Sequence, residues 1–287
     1  AILKKMAEEP LYVINLAGQK EPFSWKKVFS SAQRAGSSKE LAKKIADEIS
    51  LLAYPGISTA LIHEEVLKRL RESEPRAGIR FSLKKAIQRL GPTGFPFEKY
   101  VGALFENQGW QVFLNQQLKG YCLTYEIDFW AQKEKELFIG ECKFRHALAK
   151  QKIPSEIILE NYAKFLDLKK GELFKTPTFS QKEISFILVT DAKFTYRSQK
   201  FARCYRLELL GWRYPQERGL EYLIESQNLY PITILPSLDD DLARQCFEEK
   251  IILVKDLLKK WPNFTRKAKI SSQKAAAIFE EAKTLLS

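Results

Sequence analysis

The chain has 287 residues, 45% of them hydrophobic, with 19 Phe, 11 Tyr and 5 Trp; this is material for two or three packed domains and excludes a disordered polypeptide. Lys and Arg number 47 against 35 Asp and Glu, a net charge of +12, which favours a polyanionic partner, nucleic acid ahead of an anionic membrane surface. Two histidines and four cysteines without C-x-x-C spacing argue against zinc, point to free thiols in a reducing cytoplasm, and leave metal chemistry to carboxylates, hence to Mg²⁺ or Mn²⁺. The first ten residues lack the apolar core of a signal peptide. The longest apolar runs, "FILVT" and "IILV", are strand-sized, so no membrane span is expected.

In chain order, residues 1–92 open on a strand pattern, "LYVINL", and a turn at "AGQKEPF". Helical patterns follow, with Ser24 as an N-cap before "WKKVF", Gly36 as a stop, and Ser58 or Thr59 at the start of "ALIHEEVLKRL". "SLKKAIQRL" ends at Gly91-Pro92, which marks a boundary. Residues 93–236 alternate between periods. A helix, "FPFEKYVGALFENQG", precedes strands "WQVFLNQQ", "TYEIDFWAQ" and "ELFIGECKF"; the helix "SEIILENYAKFLDLKKG" then leads to the strand "ISFILVTD" and the helix "SQKFARCYRLELLG". "NLYPITILP" reads as a short terminal strand or extended exit. Residues 237–287 read as three short helices around "WPNFTRKAKI"; from Lys250 to Lys274 the only acid among many bases is Asp256. The expected fold class is α/β and multi-domain: a mostly helical N-terminal unit, a mixed α/β core and a basic helical tail.

One strand carries chemistry. In "FIGECKFR" an otherwise apolar strand places Glu141 and Lys143 two positions apart, hence on one face. In the preceding strand Tyr125, Ile127, Phe129 and Ala131 would form one face and Glu126, Asp128 and Trp130 the other. A turn centred near Glu134 sets Asp128 opposite Gly140 and Glu141. Two adjacent carboxylates repel unless a cation joins them, and Mg²⁺ is typically held by one or two carboxylates with waters and a phosphate. Glu98 lies in the helix before the strands. Each residue alone has a plain reading: an exposed Glu141–Lys143 pair worth under about 1 kcal/mol, a strand-end Asp128, and an acid in a first helical turn at Glu98. Their conjunction is the signal.

The stretches "FPFEKYVGALFENQGWQV", "EIDFWA" and "GECKFR" resemble the PD-(D/E)XK, restriction-endonuclease-like nucleases, in particular their Mrr-like branch. The resemblance implies a Mg²⁺-dependent DNA endonuclease in which Asp128 and Glu141 ligate the metal, Lys143 is catalytic and Glu98 supports the metal or its water. Some relatives carry a glutamine in the helix after Glu-x-Lys; residues 155–171 have none, which leaves that supporting role unassigned. The N-terminal stretches "VINLAGQKEPFSWKKVFSSAQRAG" and "RFSLKKAIQRLGP" resemble an ATP-cone, which implies ATP or dATP binding at Gly18, Phe23 and Lys27. Asn15-Leu16-Ala17 stands where that family has a Lys-Arg-Asp run. The basic tail resembles helix-hairpin-helix DNA-binding segments without their glycines.

The resulting expectation is a cytoplasmic, homo-oligomeric endonuclease that is regulated by adenine nucleotide and acts in defence against foreign DNA or in repair. The alternatives are a non-catalytic, nucleotide-responsive DNA-binding protein on a nuclease scaffold and an RNA or tRNA nuclease. His146 reads as a surface loop residue.

Overall fold

A computed structural model describes residues 11–91, 95–145, 152–268 and 270–287. His146 and Pro92, at the expected boundary, lie outside the described residues.

The N-terminal unit comprises β1 (Tyr12–Ile14), β2 (Lys20–Pro22), α1 (Trp25–Arg34), α2 (Lys39–Leu52), β3 (Ile57–Ser58), α3 (Thr59–Ser73), α4 (Pro75–Phe81) and α5 (Leu83–Gln88). β1 pairs antiparallel with β2 and parallel with β3. The hydroxyls of Ser24, Ser38 and Ser58 accept the N–H groups of Lys27, Leu41 and Leu61, so serines set the start of α1, α2 and α3. Gly36, at φ +88°, turns the chain out of α1. Helical spacing puts Val28, Ala32, Ile45, Ile49, Val66 and Leu70 into one core.

Next come α6 (Phe95–Asn107), β4 (Gln111–Lys119), β5 (Thr124–Lys133), β6 (Glu136–Lys143), α7 (Ser155–Lys170), α8 (Pro177–Ser180), β7 (Glu183–Thr190), α9 (Tyr196–Tyr205), β8 (Glu208–Leu210) and α10 (Leu220–Ser226). The strands form one five-stranded sheet in the order β4-β5-β6-β7-β8. β4, β5 and β6 are antiparallel, whereas β7 and β8 join in parallel, with α7 in the crossover from β6 to β7. Residues 186–190 of β7 are buried in succession, as expected of a parallel strand covered on both faces. On one side Phe97, Tyr100 and Leu104 of α6 pack with Phe129, Ala131, Cys142 and Val189. On the other, Ile158, Phe165 and Leu168 of α7 pack with Ile127, Leu137, Ile139 and Leu188.

The chain closes with α11 (Asp240–Glu248), α12 (Val254–Lys259), α13 (Trp261–Ala268) and α14 (Ser272–Leu286). Leu242, Cys246, Leu257, Ile278 and Leu285 from these helices share one continuous core with Leu83, Ile87 and Leu90 and with α6. The Arg89 guanidinium crosses the same junction, donating to the carbonyls of Thr233 and Leu238 and to Asp240. Among the described residues no helix is long and apolar enough to cross a membrane.

Four local expectations are corrected. "RLELL" does not continue α9: Arg206 takes a left-handed conformation, φ +54°, and Leu209 and Leu210 enter the sheet as β8 beside β7. "WPNFTRKA" is helical, because Pro262 falls in the first turn, where its missing N–H removes no hydrogen bond. Ile232–Ile234 is a 3₁₀ turn held by one bridge between Pro231 and Leu253 rather than a strand. In β5, Tyr125 and Ile127 pack on the α7 side whereas Phe129 and Ala131 pack on the α6 side, so these four residues do not share a face.

Gly140 is where β6 meets the Phe129 ring: a Cβ there would stand 2.2 Å from ring carbons. Gly140→Ala is expected to cost about 1–3 kcal/mol by overpacking, read as a lower urea midpoint at unchanged m-value.

Candidate active site

The site is built on the β5–β6 hairpin. Lys133 pairs with Glu136 across the turn residues Glu134 and Lys135, and Glu134 adopts φ +49°. This register pairs Phe129 with Gly140 and brings Asp128 level with Glu141. The inside–outside alternation of β5 breaks at Asp128, and the facing strand β4 has Asn115 at φ +53° in the same region. Backbone pairing between β5 and β6 stops at the same point. There the Asp128 carboxylate itself accepts the Cys142 N–H, at 2.7 Å, in place of a ladder carbonyl.

Glu141 is 7% exposed, and both its oxygens are taken by ammonium groups. Lys143 Nζ donates to Oε1 at 2.5 Å and Lys164 Nζ donates to Oε2 at 3.0 Å. Lys164 comes from α7 and also donates to the Glu126 carbonyl at 2.6 Å. β6 is held in parallel register with β7, Glu141 beside Leu188 and Lys143 beside Thr190. The Thr190 hydroxyl closes that register by donating to the Lys143 carbonyl at 2.5 Å.

Burial pushes the Glu98 carboxyl up to about 7, with Asp128, Glu141 and Glu126 adding and Lys143 opposing. Asp128 is also raised, by burial and then by Glu141, against the Cys142 N–H and the two lysines. Burial pulls the Lys143 ammonium down, but the hydrogen bond and charge of Glu141, with Asp128 and Glu160 behind, outweigh it and raise the pKa. The Cys142 thiol beside these groups is buried, which holds its pKa well above the usual range and disfavours the thiolate. Glu98, Asp128, Glu141 and Lys143 therefore act on one another electrostatically at one end of the hairpin. Lys164 joins them; in sequence it is one more lysine of a helix, and its only signal is its place after the Glu-x-Lys strand.

Among the described residues no three His, Cys, Asp or Glu side chains are grouped to hold a metal by themselves. Asp128 and Glu141 offer two hard oxygen ligands, the donor set suited to Mg²⁺ with water and phosphate completing the shell.

The expected nucleotide residues lie apart from this site. Gly18, at φ +74°, turns the β1–β2 hairpin, Phe23 packs on the N-terminal core, and Lys27 is largely exposed with its ammonium 3.4 Å from Glu21. Asn15 is buried and builds the turn, its carbonyl accepting the Ala17 and Gln19 N–H groups and its amide donating to Glu21. A cleft of about 220 Å³ is lined by Arg34, His63, Arg80, Lys84 and Arg213 together with Glu221 and Glu225, which pair with Arg213 and Arg80. Lys84 lies over the Trp212 ring and bonds both the carbonyl and the carboxylate of Asp191, which in turn accepts the Arg145 N–H at 2.7 Å. The cleft thus touches the end of β7, beside the strand that carries Glu141 and Lys143.

This architecture defines a mixed α/β protein with a charged site at a sheet end. Residues 230–286 match the family described as AF1548-like, C-terminal. Over 183 residues the chain is 31% identical to an uncharacterized protein of Archaeoglobus fulgidus, covering 64% of this chain and 98% of that protein. The crystal structure of a protein of unknown function, AF1548, superposes with a TM-score of 0.55 at 28% identity, covering 67% of this chain and 97% of that one. The chain belongs to the AF1548-like family of this Archaeoglobus protein.

The raised Glu98 pKa has a stability consequence. A carboxyl with a folded pKa near 7 and an ordinary value of 4.5 favours the folded state fully below 4.5, and that contribution is lost as pH rises through 7. Glu98→Gln is therefore expected to gain stability over wild type at pH 8 and to lose that advantage by pH 4.5, measured as the difference in urea midpoints across this range.

Proposed function

We propose that the protein is a Mg²⁺-dependent endonuclease that hydrolyses phosphodiester bonds in DNA. The observation that carries this reading is the convergence of Asp128, Glu141 and Lys143, with Glu98 beside them, at one end of a mixed sheet. Asp128 and Glu141 would hold a divalent metal, which would supply a water of lowered pKa and stabilise charge on the phosphoryl oxygens. Asp128, fixed by the Cys142 N–H, and Glu141, fixed by the register with β7, keep their oxygens in place before substrate arrives. Lys143 turns its ammonium from Glu141 towards the scissile phosphate as charge builds there. Glu98, which titrates near neutrality, accepts the proton lost by the attacking water. The water oxygen bonds to phosphorus as one P–O ester bond breaks.

The N-terminal unit is the nucleotide-responsive part of this reading. Its support is the cleft lined by Arg34, Arg80, Lys84 and Arg213, of which Arg80, Arg213 and Lys84 are paired with Glu225, Glu221 and Asp191, leaving Arg34 as the cation best placed for a phosphate-bearing ligand. Lys84 gives that cleft a physical connection to Asp191 and the catalytic strand. Defence against foreign DNA accords with these properties, and a cytoplasmic homo-oligomer is the assembly we assign to it.

The test is plasmid cleavage with Mg²⁺, with and without ATP or dATP, and with an RNA of matching sequence as the competing substrate. Lys143→Ala and Asp128→Ala should each lower the rate by about 100-fold or more, and EDTA should abolish it. Variants that cleave as fast as wild type would refute the assignment.

A further inference from the structure

The Glu141 carboxylate is held in a way that a metal ligand alone would not require. Lys143, two residues along the same strand, covers one oxygen; Lys164, from a helix on the α7 side of the sheet, covers the other. A divalent ion that takes Glu141 as a ligand therefore meets an ammonium charge at whichever oxygen it binds.

The two lysines differ in what they can do next. Among the described residues Lys143 forms its ion pair with Glu141, and its proposed role lies at the phosphate. Lys164 has a second acceptor already in place, the Glu126 carbonyl of β5 at 2.6 Å. It can release Glu141 Oε2 without leaving the site or losing its last hydrogen bond. Its base is also fixed, because the adjacent Phe165 and nearby Leu168 are buried in the core between α7 and the sheet. Its side chain is 20% exposed against 9% for that of Glu141, so the interaction is screened less than a surface pair.

We infer that Lys164 is a positioning residue that competes with the divalent metal for Glu141 and so sets the ion concentration at which the site fills. This inference rests on the reading of Asp128 and Glu141 as metal ligands. Two opposing effects follow from removing the ammonium: Glu141 loses one orienting hydrogen bond, and the incoming ion loses a like charge at its ligand. The second is the larger, because the strand holds Glu141 in place through pairing with β7 whether or not Lys164 is present, while repulsion between an ammonium and a dication at one carboxylate is only partly screened in a largely buried site.

Mn²⁺ titrated into the full chain without DNA, with free ion followed by electron paramagnetic resonance, tests this. Lys164→Met and Lys164→Gln should bind Mn²⁺ about fivefold more tightly than wild type, and Lys164→Arg should stay near wild type. Asp128→Asn should weaken binding in every background, which locates the ion. A merely structural role for Lys164 would give weaker binding, so equal or weaker affinity in the Met and Gln variants, with unchanged circular dichroism, overturns the inference. Failure of the wild type to bind Mn²⁺ through Asp128 overturns the metal-site reading itself, and the inference with it.

Discussion

Like charge held partly out of water is the constraint on which this molecule's central strands depend. Glu98, Asp128 and Glu141 lie close enough that each of the last two raises the Glu98 pKa. At an effective dielectric near 20, two unit charges about 4 Å apart interact by roughly 4 kcal/mol, a large share of a domain's net stability. Lys143 and Lys164 offset that repulsion at Glu141. Burial first, and then the repulsion that remains, hold the Asp128 and Glu98 carboxyls above their ordinary range. A site that folds with surplus negative charge is electrostatically suited to a cation, and in the reading proposed above a bound metal would relieve that cost in stability.

The surrounding fold keeps these groups together. The antiparallel hairpin brings Asp128 beside Glu141, parallel pairing with β7 fixes β6 from the other side, and α6 and α7 close the two faces. Beyond the sheet, Lys84 reaches from α5 to Asp191 at the end of β7, and Asp191 receives the Arg145 N–H two residues after Lys143. The N-terminal unit therefore touches the end of the sheet beside Glu141 and Lys143 through hydrogen bonds and charge. The C-terminal helices hold the same neighbourhood through apolar packing, since they share their core with α5 and α6.

Much of this was legible in the residues. The β5–β6 hairpin follows from two apolar runs around a charged turn, and counting outward from Glu134 gives its register to within one residue, the turn being centred between Glu134 and Lys135. Serine caps marked the starts of α1 and α3. Other features were hidden for physical reasons. Tyr125, Ile127, Phe129 and Ala131 alternate perfectly, yet the strand switches faces at Asp128, and alternation cannot report such a break. β8 was masked because "RLELL" also suits a helix; the decisive turn is Arg206 in a left-handed conformation that its side chain does not advertise. Lys164 was invisible because its role depends on how α7 lies on the sheet, a tertiary fact. The merging of the C-terminal helices with the central core was hidden likewise, since the same amphipathic pattern would serve a separate tail.

Anomalous diffraction from crystals soaked in Mn²⁺ tests the central claim most directly. The account predicts a peak bridging the carboxylates of Asp128 and Glu141, with Lys164 withdrawn to the Glu126 carbonyl. A map with no peak between those two carboxylates, and with both lysines still bonded to Glu141 at saturating Mn²⁺, would contradict it.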